Sequence, residues 1–359
     1  PESALVQCSP ILPGGGMKIR IGITSPVDPD SPGAATLRLP RFTDANFTLE
    51  SRTPHTISVE STRPVELAAA IPSARTYRNG SLLQAELPFR DLAHGLGVRV
   101  SLPVEPGPVA LRLPDAGGYV TQSLTRTYPD PARRIAVVVD AGAELGPYAS
   151  QMRDVLVKLK PGRELLILAA GDQVVSLGGR PEDLARIRFQ GGTDPVPALA
   201  EALRWLGPDP NAALLWIHGR APLPVPGADG LRSAASRLGA GRFVVLGATP
   251  GENSVRHPLA GLDSVRTSHA SFIDLPETLQ REVARINGSA PAYRFDRVWT
   301  SQPPPGLSVS DAPIADGTRH ILRLWANEES GRLARSRRPG NRDRARELAI
   351  GYQLVTPLV

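Results

Sequence analysis

The chain has 359 residues, 41% of them hydrophobic and 21% charged, which is apolar material for two or three packed domains. Its formal charge of +6 is local: seven Arg and one Asp between Ser330 and Arg346 supply the whole excess. That argues against a nucleic-acid surface, which would spread basic residues along a folded face with aromatics between them. A single cysteine, Cys8, excludes an internal disulfide and a Cys-based structural metal site.

No apolar run approaches the roughly 18 to 20 residues that span a bilayer, and the opening PESALVQCSP has neither a basic n-region nor an apolar h-region. The chain starts without Met and stops at QLVTPLV, inside what reads as a strand. The expectation is a piece of a longer protein, with any signal or anchor outside it.

From residue 1 to about 126 the pattern is β. MKIRIGITSP, ATLRLPRF, TISVEST, LLQAELPF, GVRVSLP and YVTQSLTR are short alternating or β-branched runs separated by Pro, Gly, Asp and Asn. Such spacing predicts an antiparallel sandwich.

From residue 133 to about 288, strands and helices alternate. Ile135, Ala136, Val137, Val138 and Val139 form a continuous apolar run, as in a strand buried on both faces, and Asp140 ends it. A helix is expected over 145–160, then the strand ELLILAA, a hairpin arm QVVSL, and a helix over 194–206 opened by Gly191-Gly192-Thr193-Asp194-Pro195. The strand AALLWIH follows, then a helix over 229–238, the strand RFVVLGA, and a last helix with Asp274 and Glu277 at capping-box spacing. Strands spaced by such helices imply right-handed crossovers and a doubly wound sheet. Ligands meet such sheets outside the carboxyl ends of the strands, so Asp140 is the first functional candidate.

Beyond Tyr293, YRFDRVWTS reads as a strand and HILRLWANEE as the start of a helix with Ile321, Leu324 and Trp325 inward. RLARSRRPGNRDRAR reads as a solvated, partly disordered loop, and ELAIGYQLVTP resumes a helix.

An Asp after a buried first strand, followed some fifty residues later by Gly-Gly-Thr-Asp before a helix, resembles the von Willebrand factor A domain. That family's first loop reads Asp-x-Ser-x-Ser, its second supplies a Thr and its third an Asp, and together they hold a divalent cation. Here Asp140 and Thr193 match, Gly142 and Glu144 replace the serines, and the third loop reads His218-Gly219-Arg220. The resemblance therefore implies a degenerate metal site: a lone carboxylate beside Arg220 is better explained as an ion pair than as an ion cage. Pro13-Gly14 and Leu39-Pro40-Arg41-Phe42 resemble the end of a vault/inter-alpha-trypsin (VIT) domain, and the Leu-Trp-Ala helix with the Tyr-Gln-Leu-Val-Thr-Pro segment resembles the tail of bacterial VIT proteins.

The fold expected is multidomain, α/β plus all-β: a doubly wound, Rossmann-like A-type domain preceded by β-sandwich strands and followed by a strand and helical tail. The divisions are 1–45, the end of a VIT-like domain; 46–126, a β connector; 133–288, the A-type domain; and 291–359, the tail. The resemblance implies a non-enzymatic adhesion or assembly module at the cell envelope, with a protein partner. Its binding rim would carry Asp140, Gly142, Glu144, Thr193, Asp194, His218 and Arg220.

Two rival readings use the same rim. A divalent-cation-dependent adhesin would hold Mg²⁺ or Ca²⁺ on Asp140, Glu144 and Thr193. A hydrolase would pair Asp140 with His218, although no nucleophile elbow, Walker loop, dinucleotide fingerprint or HExxH accompanies them. The sequons at Asn46, Asn79 and Asn287 read as ordinary turns, and Trp205 and Trp216 read as core residues.

Overall fold

The computed structural model describes residues 21–31, 33–40, 50, 52–67, 71–89, 92, 96–103, 107–113, 117–159, 162–191, 194–249, 251–270, 274–310, 318–336 and 338–356. Pro13, Gly14, Arg41, Phe42, Thr193 and the segment Met17–Arg20 lie outside them. In the first part of the chain the strands are β1 (Asp28–Ser31), β2 (Ala34–Arg38), β3 (Pro54–Glu60), β4 (Val65–Leu67), β5 (Arg75–Tyr77), β6 (Leu82–Pro88), β7 (Gly97–Ser101), β8 (Val109–Arg112) and β9 (Tyr119–Thr127). Residues 21–26, expected as strand, are irregular.

These strands divide among three sheets. One has the order β1-β2-β7-β4 and another β3-β6-β5, both antiparallel. Alternation along β6 turns Leu83, Ala85 and Leu87 inward, and Leu83 joins Val65 and Val98 of the first sheet in a small core. Sheet pairing crosses residue 45, since β2 lies beside β7.

The central unit begins with β10 (Arg134–Asp140) and continues through β11 (Glu164–Ala170), β12 (Val174–Gly178), β13 (Ala213–His218), β14 (Phe243–Gly247) and β15 (Val265–His269). Their order is β12-β11-β10-β13-β14-β15, parallel throughout except for the β11–β12 hairpin. Period-two alternation sends Ile135, Val137 and Val139 to one face and Ala136, Val138 and Asp140 to the other. The first face is covered by α1 (Ala149–Leu156) and α4 (Leu275–Ile286), the second by α2 (Pro195–Leu206) and α3 (Leu231–Ala235). Helices on both faces make the sheet doubly wound. Chain order reverses between β10 and β13, so the crevice at their carboxyl ends is the topological switch point.

The expected helix over 145–160 divides into a 3-10 turn, Ala143–Tyr148, and α1. Pro147 explains the division: it has no N–H to donate, and its ring clashes with an α-helical carbonyl four residues back. The expected helix over 229–238 is likewise a short 3-10 turn, Ala228–Gly230, running into α3. At α4 the capping-box expectation fails. Asp274 is the N-cap but caps nothing with its side chain; Arg38 of β2 takes its carboxylate at 2.7 Å.

After α4 come β16 (Ala292–Thr300), β17 (Val309–Ser310), α5 (Thr318–Arg335) and α6 (Asn341–Gly351). Strand β16 pairs over nine residues with β9, in the sheet β16-β9-β8-β17. The entry to and exit from the doubly wound unit are thereby stapled together, and Ala132 N–H donates to Ile286 O at 3.0 Å beside the staple. Leu322, with Ile321, Trp325 and Tyr352, packs on Leu111, Leu113 and Val120 of this sheet.

The Arg-rich segment is not a disordered loop. Its first part finishes α5 and its second opens α6. Arg is a good helix former, and Arg332 pairs with Glu329 one turn back at 2.6 Å. Nor do residues 354–356, part of the expected final strand, form one: they are irregular after α6. Among the described residues no helix is long and apolar enough to cross a membrane.

The N-terminal strands seat on α4 through a buried ion network. Glu282 is fully buried between Arg266 of β15 and Arg285, the latter at 2.8 Å, and Arg285 also donates to Pro29 O at 3.2 Å. Burial alone would raise the Glu282 pKa, but the charges of Arg266, Arg285 and Arg281 overcome it and hold the carboxylate below its usual range. Removing one member of such a cluster strands the others. Glu282→Ala is therefore expected to cost about 3–5 kcal/mol in urea unfolding, and a loss below about 1 kcal/mol would show that the cluster contributes little.

Candidate functional site

The rim of the switch point is built from three loops. The first follows β10 and carries Asp140 and the 3-10 turn with Gly142 and Glu144. A second precedes α2 and ends in Asp194, and the third follows β13 with Gly219 and Arg220.

Asp140 is 2% exposed, because the alternation that buries Ala136 and Val138 also turns it inward. Trp216 Nε1–H donates to Asp140 Oδ1 at 2.8 Å, and Gly219 N–H donates to Oδ2 at 3.4 Å. Burial pushes the Asp140 carboxyl up to about 7, against the pull of these two donors, and the nearby charge of Glu144 adds to the rise. The expected ion pair with Arg220 does not form at this carboxylate. The Arg220 side chain instead folds against Gly251, where a Cβ would lie 2.6 Å from its Nε. Gly251, at φ +122°, gives the chain that close approach.

Glu144 reaches across to the third loop. Arg220 N–H donates to its Oε1 at 2.9 Å, and the buried Thr249 hydroxyl, after β14, lies at 3.5 Å from the same oxygen. A Cβ on Gly219 would overlap Glu144 Oε1, so only glycine leaves room for the carboxylate.

His218 is 1% exposed. Its Nδ1 lies 2.8 Å from Gly219 O and 3.1 Å from Asn253 Nδ2, which donates to Gly219 O at 3.0 Å; a carbonyl can only accept, so the shorter contact to Gly219 O places the ring proton on Nδ1. Burial drives the His218 pKa down to about 3, and the charge of Arg256 pushes the same way, so the ring is neutral. Its centroid lies 4.6 Å from that of Trp216, and its buried Nε2 bonds to no described atom. No hydrogen bond joins it to Asp140 among the described residues. The two share Trp216 as a neighbour rather than forming an acid–base pair.

Gly142 is the N-cap of the 3-10 turn in extended conformation. Asp194 caps α2 by accepting from Val196 N–H at 3.0 Å, with Pro195 in the first turn. The structure thus brings Asp140, Glu144, His218 and the Gly219-Arg220 backbone together, and gives Asp194 a capping role.

A hard divalent ion requires several oxygens with lone pairs to spare. Both Asp140 oxygens accept N–H groups, Glu144 Oε1 is committed to the third loop, and that loop contributes donors instead of a carboxylate. Among the described residues no three His, Cys, Asp or Glu side chains gather to hold a metal. The described donors, Asp140 and Glu144, do not by themselves fit Mg²⁺ or Ca²⁺, and Thr193, the third expected ligand, lies outside the described residues.

Sequence reasoning missed Trp216, Thr249, Asn253 and Leu223. Trp216 follows the core pattern of β13 and also supplies the buried donor to Asp140. Leu223 is 76% exposed in the Pro-rich loop after Arg220. Two backbone bonds pin that loop, Ala221 N–H to Glu252 O at 3.0 Å and Ser254 N–H to Ala221 O at 2.8 Å. The one available signal was an apolar residue between prolines on the ligand side of the sheet.

No family model matches the chain, and no curated protein matches its sequence. Solved structures do resemble it in part. A von Willebrand factor type A protein from Catenulispora acidiphila is 13% identical with a TM-score of 0.37, the match covering 66% of this chain and 82% of that one. The ArnB paralog VWA2 from Sulfolobus acidocaldarius is 9% identical with a TM-score of 0.34, covering 66% and 83%. Proximal thread matrix protein 1 from the mussel byssus, with a zinc-occupied MIDAS motif, is 15% identical with a TM-score of 0.33, covering 48% and 50%. The match thus spans about half the length of the mussel protein. At this level of similarity the functional reading rests on the geometry of the rim itself.

Asp140 also sets a pH dependence. Its pKa rises from an ordinary 3.8 to about 7 on folding, so between these values the native state binds the extra proton. The associated stability is complete below pH 4 and is lost as pH rises through 7, a swing of a few kcal/mol at about 1.4 kcal/mol per unit. Asp140→Asn is expected to flatten this slope in urea titrations between pH 5 and 8. An unchanged slope would place the titrating group elsewhere.

Proposed function

We propose that the chain is a non-enzymatic protein-interaction module, an A-type domain between a β-rich N-terminal flank and a strand-and-helix tail. Its recognition surface is the rim carrying Asp140, Gly142, Glu144, Thr193, Asp194, His218 and Arg220, joined by Leu223. The observation that carries this reading is the hydrogen-bonded fixing of the rim. Asp140, Trp216, His218 and Asn253 are buried and hydrogen-bonded beneath the loops, while Glu144, Asp194, Arg220 and Leu223 are exposed. A rigid, mixed-charge surface with one apolar knob suits recognition of a folded protein whose charges complement it. Neutral His218 is buried with Nδ1 against Gly219 O, and the Asp140 oxygens and Glu144 Oε1 already accept N–H groups, which favours this reading over hydrolysis or metal-dependent adhesion.

Two measurements test the proposal. In thermal unfolding of the full chain, Mg²⁺, Mn²⁺, Ca²⁺ or Zn²⁺ is expected to move the midpoint of the native sequence no more than that of Asp140→Ala. A cation at a hundred times its dissociation constant would stabilise by about 2.7 kcal/mol, a shift of a few degrees. Such a shift confined to the native sequence would restore the metal-dependent adhesin. For the partner, a photo-cross-linker at Leu223 is expected to capture protein in the native cells, insensitively to EDTA, where one at Val157, beyond the far end of α1, does not. Equal capture at both positions would sink the assignment of the rim.

A further inference from the structure

We propose that the chain self-associates through strand β16, two copies pairing antiparallel about a two-fold axis at Phe295 so that their sheets β16-β9-β8-β17 join into one. Strand β16 covers nine residues and is the longest edge strand among the described residues. Antiparallel pairing with β9 uses the backbone groups of alternate residues only. Those of the residues between point away from the sheet, and no described strand meets them. Edges of this kind are ordinarily blunted by proline, by a bulge or by lysine. Strand β16 contains neither Pro nor Lys, and its pairs with β9 run without a register shift. Its exposed charges, Arg294 and Asp296, are opposite in sign and bridge one another at 2.8 Å, while Val298 and Trp299 leave apolar surface 56% and 45% exposed.

The order of charges along the strand selects a second copy as the occupant. Outward backbone groups pair with outward ones, so the axis relating two copies passes through a residue and not between two. An axis at Arg294, Asp296 or Arg297 sets that charge against itself, which is destabilising. An axis nearer either end of the strand overlaps fewer residues. At Phe295 the overlap covers residues 292–298 of both copies, with Arg294 opposite Asp296 of the second copy and Asp296 opposite its Arg294. The Arg294 side chain is 71% exposed, so it exchanges its own Asp296 for that of the second copy without uncovering the core. The same register sets Val298 against Ala292 and the two Phe295 residues against each other, apolar pairs of the kind that stabilise a sheet. A second copy meets this sequence by symmetry alone, whereas another chain would need a complementary one.

Sedimentation velocity of the full chain is expected to show a monomer–dimer equilibrium, the dimer fraction rising with concentration. Arg294→Asp and Asp296→Arg each set like charges against one another on both sides of the axis, and each is expected to weaken dimerisation at least about tenfold. Mixed in equal amounts, the two variants regain complementary pairs and are expected to form a heterodimer near the native affinity, although the Arg294–Asp296 bridge within each chain stays broken. Loss of that internal bridge alone cannot produce such a rescue. In the native chain, hydrogen exchange of the β16 amides should slow as the dimer forms. Slowing that is absent shows an open edge, and slowing independent of concentration shows an edge covered by the chain itself; either overturns the proposal. A chain monomeric at every concentration also overturns it, as does a dimer indifferent to both variants or variants that fail to rescue one another. The rim takes no part in these measurements, so the edge and the recognition surface fail separately.

Discussion

The hydrogen bond from the Trp216 indole to Asp140 is the contact on which the rim depends. Strand alternation commits Asp140 to the interior, and a buried carboxylate without donors would be costly. Trp216 meets that need because parallel pairing of β10 with β13 sets Trp216 beside Val138, one alternation before the end of each strand. Once the indole holds Oδ1, Oδ2 faces the Gly219 amide, which fixes where the third loop leaves the sheet. His218 then closes over Gly219 O together with Asn253, so a side-chain network continues the sheet past its last backbone bonds.

Around this centre the remainder of the chain acts as a clamp. Strands β9 and β16 pair where the doubly wound unit begins and ends, and α5 and α6 back that sheet through Leu322. On the other side the N-terminal strands reach α4 by Arg38–Asp274 and by the Arg285 bond to Pro29 O. Buried ion pairs are weak sources of net stability but strong determinants of geometry, since any other seating of β1 and β2 on α4 would leave charges unpaired. The interfaces therefore specify how flanks and sheet are joined, while the two apolar faces of the sheet supply most of the free energy.

Much of this was legible in the sequence because it follows from periodicity. The continuous apolar run before Asp140 and the helical stripes of α2 and α4 place the sheet and its two coverings. Pro195 and Asp194 mark the start of α2 correctly. What escaped depended on partners distant in sequence. The local 274–277 spacing suggests a capping box, but Arg38, 236 positions away, offers the Asp274 carboxylate a stronger, charged donor. Arg220 looked like the partner of Asp140 because both lie on one rim, yet its backbone N–H is what binds a carboxylate there, and that carboxylate is Glu144. Residue type alone does not reveal whether a side chain or its amide makes the contact. The Arg run looked disordered by charge density, whereas pairing one helical turn apart and good propensity keep it folded.

The loop chemistry of the rim has a single electrostatic logic. In the metal-binding pattern that the sequence resembles, acidic and hydroxyl groups from three loops converge and a cation neutralises them. In this chain the first loop supplies both carboxylates, Asp140 and Glu144, and the third supplies donors, the Gly219 and Arg220 amides. With donors on the third loop, both carboxylates of the first loop find hydrogen-bond partners within the chain. A bound cation attracts any carboxylate at long range, whereas amide donors act only at contact and in a fixed direction. At this rim the amide donors act on the chain's own carboxylates, and Gly219, which has no Cβ, leaves room for Glu144.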